Sequence, residues 1–253
     1  MLLEIGLVVT ILLGVFIVFY RQAIEQYNIL QIENTQIVEI PKLLNERTPL
    51  VIRNIGQPKL FTPESLKTNA RLQMFPLGNQ LTLGSYIQNP SSKIPLPKKA
   101  SSLLAKESGL AVWGEHTWYP KLFSYPFLQH IHSFVAEAQV GEQGLRKTTG
   151  IVTLLYPTSG ALEITLLTEQ QEKYLPQGWR GRFPEIFTIQ DTPLAGEIKY
   201  ITIKLRPGHL LAIPTHWFYS VRGEKGKPLL WCRFTLHNPV SSLASSMETT
   251  LDA

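Results

Sequence analysis

Residues that build metal or disulfide sites are scarce in this sequence. It has one cysteine, Cys232, and six histidines among 253 residues, and no histidine occurs between His132 and His209. No histidine is followed two positions later by aspartate or glutamate. A single cysteine cannot form an intramolecular disulfide, which argues against a disulfide-rich extracellular domain. Because Cys232 lies in the apolar run LLWCRF, we expect a buried side chain rather than a nucleophile.

Charged residues are also sparse, and no stretch is dense in lysine or arginine. They make up 17% of the chain, and the net charge is +5. Glu4 is the only charged residue among the first 20, so residues 21–253 carry +6. Such a surplus suits a domain near anionic headgroups and equally suits an ordinary solvated surface. A nucleic-acid partner is not predicted. The 18 prolines and 17 glycines favour turns over long helices, in one β-rich domain.

One long apolar run lies near the N-terminus. Residues 5–20, IGLVVTILLGVFIVFY, carry no charge and end in aromatics followed by Arg21, the pattern of a helix that leaves the hydrocarbon at the headgroups. Such a helix rises about 24 Å, slightly less than a bilayer core. A cleaved signal peptide would carry a basic N-terminal region and a small-residue cleavage site, and neither flanks this run. We predict a retained single-pass anchor, with Tyr20 and Arg21 at the membrane interface and a cytoplasmic C-terminal domain.

The patterning divides the chain into four segments. These are an anchor at residues 1–21, a helical stalk at 22–34, a folded domain at 35–238 and a disordered tail at 239–253. Within the domain, residues 48–55 are predicted to form a buried strand, and Thr62 to cap a helix that begins at Pro63. Residues 125–139 are predicted to form a helix, and residues 150–167 a hairpin that further strands follow.

Two segments together carry a family resemblance. Residues 204–223, KLRPGHLLAIPTHWFYSVRG, place a Pro-Gly turn before an apolar strand, Ile-Pro and an aromatic group. Residues 40–56, IPKLLNERTPLVIRNIG, resemble the opening of the same kind of domain. In combination they resemble JmjC-like cupins, and the resemblance covers residues 35–238. It implies a mainly β fold, a double-stranded β-helix or jelly-roll cupin with flanking helices, and a tendency to dimerise.

Active members of that family are iron- and 2-oxoglutarate-dependent oxygenases, and the resemblance places their ligand positions on unsuitable residues. The iron-binding His-x-Asp falls on Lys147, Thr148 and Thr149, and the later histidine falls on Tyr219. Leu162 takes the place where some members use a lysine to hold the 2-oxoglutarate carboxylate. Because the iron triad needs histidine and carboxylate ligands, we expect neither iron nor 2-oxoglutarate as a cofactor.

The other candidate residues point to a pocket rather than to a reaction. His130 and His132 lie two residues apart on the predicted helix and would point in different directions, which argues against a shared metal. No catalytic or metal-binding residue is predicted. The possible barrel-mouth pocket consists of Lys147, Thr149, Leu162, His216, Trp217 and Tyr219.

Two functions stay open. The first is a membrane-anchored, non-catalytic cupin-like domain, a pseudoenzyme that acts as a binding or structural module for a protein partner or as a homodimer. The second is a diverged iron-dependent 2-oxoglutarate oxygenase, of the hydroxylase or demethylase type, with an atypical metal site. A metal in the barrel discriminates between them, because only the oxygenase requires one.

Overall fold

The computed structural model of the protein describes residues 29–33, 40–78, 80–90, 94, 96–122, 132–224 and 226–242, together with positions 6, 10, 11 and 14. Among these residues, no helix is long and apolar enough to cross a membrane. The predicted anchor at residues 5–20 and its interface residues Tyr20 and Arg21 lie outside the described residues, apart from those four positions.

Twelve strands in the described part of the chain form two facing sheets and a small ribbon. The larger sheet contains β1 (Leu30–Glu33), β2 (Leu50–Arg53), β5 (Ser133–Val140), β7 (Val152–Ser159), β10 (Leu210–Pro214) and β12 (Leu230–His237), in the order β1-β2-β10-β7-β12-β5. The smaller sheet contains β6 (Gln143–Lys147), β8 (Leu162–Leu167), β9 (Ile201–Leu205) and β11 (Phe218–Arg222), in the order β6-β11-β8-β9. The ribbon pairs β3 (Pro76–Gly78) with β4 (Leu81–Thr82).

Strands β5 to β12 wind into a double-stranded β-helix, as the resemblance implies. Apart from the β8-β9 pair, successive strands alternate between the sheets, so that β5-β12-β7-β10 faces β6-β11-β8-β9. This is the arrangement of a jelly roll. The hairpin predicted for residues 150–167 is wrong in its pairing, because β7 and β8 each pair within a different sheet. Gly160, at φ +77°, turns the chain from one sheet to the other.

The helix predicted for residues 125–139 is wrong over its second half, which forms β5. The sequence SFVAEAQV alternates with a period of two, so that Phe134, Ala136 and Ala138 pack towards the helices. Glu137 faces the space between the sheets. All eight residues of β5 pair with β12, and this pairing outweighs the helix propensity of alanine, glutamate and glutamine.

Seven helices precede the strands of the β-helix in the described residues. They are α1 (Ile40–Asn45), α2 (Pro63–Lys67), α3 (Ala70–Gln73), α4 (Leu83–Gln88), α5 (Lys98–Glu107), α6 (Leu110–Thr117) and α7 (Tyr119–Leu122). Three 3-10 helices, Glu169–Tyr174, Pro184–Ile186 and Ala195–Glu197, lie between β8 and β9. The Thr62 cap of α2 is confirmed, and Ser65 completes a capping box there.

The ends of the domain differ from the predicted boundaries. Residues 30–33 form β1, parallel to β2, instead of the end of a helical stalk, because β2 offers an open edge for pairing. Residues 239–242 form a helical turn, in which the Asn238 side chain accepts from Ser241 N at 2.6 Å, where the tail was predicted. Residues 123–131 and 243–253 lie outside the described residues.

In the part of the chain that the structure describes, three apolar clusters lie between or over the layers of the domain. The largest lies between the larger sheet and the helices, and a small one covers the outer face of the smaller sheet. The third fills one end of the space between the sheets, where Leu155, Leu162, Ile164 and Trp231 are fully buried. This end of the barrel is closed by side chains. At the other end, the side chains that face the interior become polar.

Candidate functional site

A cavity opens at the polar end of the barrel. Its volume is about 530 Å³, and strands of both sheets line it together with the start of α5 and residues 179–181. The polar and charged side chains of the lining are Lys98, Glu137, Arg146, Lys147, Thr148, Thr149, Thr153, Arg180, Tyr219, Arg233, Thr235 and His237. The cavity therefore lies where the β-helix is not filled by apolar side chains.

A largely buried arginine, whose side chain is 12% exposed, joins the two sheets inside this cavity. Arg233 on β12 stands directly opposite Glu137 on β5. Its Nε and Nη2 both contact Glu137 Oε2, and its Nη1 donates to the hydroxyl of Tyr219 on β11 at 2.7 Å. Both partners are buried, with Glu137 2% and Tyr219 1% exposed. The guanidinium is thus held in one orientation by fixed groups from both sheets.

The cation of this network is permanent. Burial lowers the pKa of Arg233, but the neighbouring Tyr219 and Glu137 raise it by more, so this pKa lies above its ordinary value. Arginine is charged at neutral pH even without such help. Glu137 depends on this charge, because a buried carboxylate without a cation loses its compensation.

Cations dominate the cavity lining. Five of its side chains are lysine or arginine, and Glu137 is the one acidic side chain among the lining residues that the structure describes. Lys147 is partly engaged elsewhere, since its Nζ donates to Glu172 at 2.8 Å and lies 3.5 Å from Glu169. Positive charge in a cleft with low-dielectric walls attracts anions.

Two buried polar atoms of the cavity have no hydrogen-bond partner in the described part of the chain. They are Glu137 Oε1 and His237 Nδ1. Burial lowers the pKa of His237, Lys98 and Arg233 lower it further, and Glu137 opposes this. His237, which is 6% exposed, is therefore neutral at neutral pH. Because unpaired buried polar atoms are costly, a ligand or water group is expected to meet them.

Backbone contacts fix one side of the cavity rim. Leu145 N donates to Arg182 O at 2.8 Å, and Gly181 N donates to Leu145 O at 3.1 Å, so this segment runs along β6. A Cβ on Gly144 would lie 2.0 Å from Gly181 O, and only glycine permits this approach. The close packing places Arg180 at the rim.

Three of the residues predicted for the mouth pocket line this cavity, namely Lys147, Thr149 and Tyr219. Tyr219 pairs with Arg146, whereas Lys147 pairs with Phe218. Neighbouring residues of a strand point to opposite faces. Arg146 therefore shares the face of Tyr219, and the ammonium group of Lys147 turns towards Glu172.

The other three predicted residues lie elsewhere. Leu162 is fully buried in the apolar cluster at the closed end of the barrel. The His216 side chain is 59% exposed, and its Nδ1 lies 3.5 Å from Glu169 Oε1. The Trp217 ring nitrogen donates to Arg47 O at 3.2 Å. None of the three is among the residues that line the cavity.

The residues at the ligand positions of the resembled family do not fit the iron and 2-oxoglutarate that its active members use. The Thr148 hydroxyl donates to Pro214 O at 2.9 Å and accepts from Trp217 N at 3.1 Å, so it is used by the fold. The Tyr219 hydroxyl accepts from a permanent cation, which disfavours a metal there. Within the described ranges, no three His, Cys, Asp or Glu side chains cluster so that they could hold a metal. Leu162 offers no charge to a carboxylate.

Sequence reasoning missed Glu137, Arg233 and His237. Glu137 was hidden because its segment was predicted to be helical. A signal exists on β12, where Arg233, Thr235 and His237 put polar groups at every second position of a strand whose other residues are apolar. Such a polar stripe indicates a strand face that is not part of an apolar core.

Comparisons with known proteins add little to this geometry. No protein-family model matches the sequence, and no curated protein is similar to it. The structure of procruciferin, the 11S globulin of Brassica napus, matches at 14% identity over 43% of this chain and 21% of the procruciferin chain, with a TM-score of 0.27. The structure of Drosophila melanogaster CENP-C bound to CAL1 matches at 12% identity over 41% of this chain and 63% of that chain, with a TM-score of 0.24.

A further match is the Drosophila melanogaster CENP-C cupin domain, at 13% identity over 41% of this chain and 58% of that chain, with a TM-score of 0.24. This chain spans less than two thirds of each of these proteins. At such values the matches carry no conclusion about ligand, partner or activity. The fold rests on the strand order described above.

Proposed function

We propose that the chain is a membrane-tethered, non-catalytic binding module whose barrel mouth holds a small anionic ligand. The observation that carries the proposal is the buried pair of Arg233 and Glu137 inside a cationic cavity of about 530 Å³. A cavity of this size suits a small molecule. A buried charge pair is rarely more stabilising than apolar side chains of the same volume. Its presence in the barrel therefore supports a role in binding.

The candidate reactive groups are poorly suited to catalysis. Burial lowers the pKa of Lys147, but Glu172 and Glu169 raise it by more, so the amine stays protonated and is no base. Cys232 is buried, as predicted, and belongs to the apolar cluster on the helix side of the larger sheet. Burial raises the pKa of its thiol well above the ordinary value, which disfavours the nucleophilic thiolate.

Calorimetric titration of the full-length protein in detergent micelles with glutarate tests the anion site. We expect saturable binding that weakens as salt is added. Lys98→Gln should weaken it several-fold, because Lys98 lines the cavity. Lys106→Gln is the matched control, since Lys106 lies in the last turn of the same helix and is not among the lining residues. Equal binding of the uncharged diamide, or equal effects of both variants, would contradict the proposal.

The tether is part of the same proposal, supported by the apolar run at residues 5–20 and its flank Tyr20 and Arg21. We expect the full-length protein to stay with membranes after an alkaline wash, with its C-terminal domain on the cytoplasmic side. Intact-mass measurement of the extracted protein checks that the run is retained. A mature N-terminus after Tyr20, or a full-length chain that is soluble without detergent, would contradict it.

The oxygenase alternative makes the opposite prediction about metal. After anaerobic iron loading, we expect no stoichiometric iron and no consumption of 2-oxoglutarate. The side chains around Tyr219 are unsuitable ligands for iron and unsuitable partners for 2-oxoglutarate. Elemental analysis measures the iron content. Near-equimolar iron that is lost in Tyr219→Phe would favour the oxygenase, because tyrosine is the one residue of the set that can bind ferric iron. A protein partner or a homodimer stays a prediction that rests on the resemblance alone.

A further inference from the structure

We infer that the ligand of the barrel mouth is a hydroxy acid, an oxyanion that also carries a neutral hydroxyl group, and that this hydroxyl donates to Glu137 Oε1. The hydroxyl requirement rests on the proposed anion site and narrows the class of its ligand. A carboxylate and a phosphate are both oxyanions that the cationic lining can attract.

The two oxygens of Glu137 have different environments. Oε2 receives Nε and Nη2 of Arg233, which fixes the carboxylate. Oε1 has no donor among the described residues, although Glu137 is only 2% exposed and lines the cavity. An ionised carboxylate oxygen can only accept a hydrogen bond. A hydroxyl group of a bound ligand can supply the missing donor, whereas a ligand without a donor leaves Oε1 unpaired.

The charges around Glu137 decide which donor is favourable. Lys98, Arg146 and Arg180 also line the cavity, and Arg233 already neutralises the carboxylate. An ammonium group would bring a further positive charge among them, and like charges repel strongly at low dielectric. A neutral hydroxyl supplies the donor without this cost. The geometry thus favours a hydroxy acid over an amino acid.

The same oxygen disfavours an oxo acid. A carbonyl oxygen is an acceptor, so an oxo group placed at Glu137 Oε1 would set two acceptors against each other. A methylene group at this position would leave Oε1 unpaired and dry. The expected order of affinity is therefore hydroxyl first, methylene second and oxo last.

Three five-carbon diacids that differ only at one carbon test this order. The full-length protein in detergent micelles is titrated with 2-hydroxyglutarate, glutarate and 2-oxoglutarate. We expect 2-hydroxyglutarate to bind about 10- to 100-fold more tightly than glutarate, the range of a hydrogen bond to a charged group. We expect 2-oxoglutarate to bind no better than glutarate. Equal affinity for 2-hydroxyglutarate and glutarate, or tightest binding of 2-oxoglutarate, would overturn the inference.

The variant Glu137→Gln inverts the hydrogen-bonding character of the site. Its amide oxygen can still accept from Arg233, and its NH2 group then offers a donor to the cavity. We expect the preference to move from 2-hydroxyglutarate towards 2-oxoglutarate. Glu163→Gln makes the same chemical change at an exposed position on β8 and should leave the order unaltered. If Glu137→Gln does not fold, the order measured with the wild-type protein still decides.

A second matched pair identifies the oxyanion. Glycerol 3-phosphate and propyl phosphate share a phosphate and differ in their hydroxyl groups, so glycerol 3-phosphate should bind more tightly. Comparison of its affinity with that of 2-hydroxyglutarate shows whether the site prefers phosphate or carboxylate. Binding of all five compounds without a hydroxyl preference would overturn the hydroxyl requirement and leave the anion site intact. Absence of binding by all five would overturn the anion site itself.

Discussion

The two ends of the barrel differ in the side chains that fill them, although the same strands supply both. On β12, Trp231 is fully buried in the apolar cluster of the closed end. Two and six residues further along the same face, Arg233 and His237 line the cavity. On β11 the change runs the other way, from Tyr219 at the cavity to the buried Val221.

We assign stability to the closed end of this core and ligand binding to its mouth. Each large apolar side chain at the closed end contributes roughly 1.5–3 kcal/mol by leaving water. The charged groups at the mouth lose hydration when they are buried, and their attraction at best roughly offsets that loss. We therefore expect changes at the closed end to alter stability alone, and changes at the mouth to alter stability and ligand binding by separable routes.

The largest effect is expected for Arg233→Met. It leaves the carboxylate of Glu137 buried without its cation, which costs about 3–5 kcal/mol. At roughly 2–4 °C per kcal/mol for a domain of this size, the melting temperature should fall by about 6–20 °C. Tryptophan fluorescence of the full-length protein in detergent follows the melt.

The double variant Glu137→Leu with Arg233→Met separates the two tasks. Because it removes both charges, most of the lost stability should return. The preference for 2-hydroxyglutarate over glutarate should not return, because the acceptor Glu137 Oε1 is gone. A double variant as unstable as Arg233→Met would show that the pair itself holds the barrel together. A double variant that still prefers 2-hydroxyglutarate would place the hydroxyl contact elsewhere.

At the closed end, Leu162→Ala is expected to cost about 3 kcal/mol, because Leu162 is fully buried and the cavity left behind cannot fully collapse. Anion affinity measured by titration should be unchanged, since Leu162 does not line the mouth. A loss of affinity comparable to that of Lys98→Gln would show that the two ends are coupled and would remove the contrast between them.

The larger features of the fold could be predicted because they depend on local chemistry. The β2 strand and the Thr62 cap follow from branched residues and capping side chains. The double-stranded β-helix was implied by the family resemblance that the Pro-Gly to Ile-Pro pattern carries. The pairing of β7 with β10 and β12 could not be predicted from the sequence, because a turn that links two sheets has the same local signal as a hairpin turn. Long-range partners decide between the two.

The site was harder to predict for a related reason. The alanine and glutamate of the segment around Glu137 favour a helix, and only the pairing with β12 turns that carboxylate into the barrel. The register between β6 and β11 also decides that Arg146, and not Lys147, shares the face of Tyr219. A shift of one residue exchanges the two faces of a strand, and a single sequence does not specify register at that precision.

A smaller effect on stability is expected at the turn that leads into β10. Gly208 adopts φ +87°, which branched side chains strongly disfavour, so Gly208→Val should cost about 1–3 kcal/mol. Gly196→Val is the control, because Gly196 has no positive φ and open space around its Cβ position. Thermal melts compare the two. A Gly208→Val protein that melts like wild type would show that this turn relaxes without strain.

The smallest expected effect concerns pH at the mouth. Because the pKa of His237 is lowered in the folded protein, the ligand-free domain disfavours its protonation and should lose stability as pH falls below about 6.5. A bound oxyanion favours the imidazolium, so affinity should change in the opposite direction. Titration with 2-hydroxyglutarate, whose carboxylates stay ionised above about pH 6, should show binding about two- to five-fold tighter at pH 6 than at pH 7.5. His237→Asn should abolish this dependence. The same pH dependence in wild type and His237→Asn would assign the proton to another group.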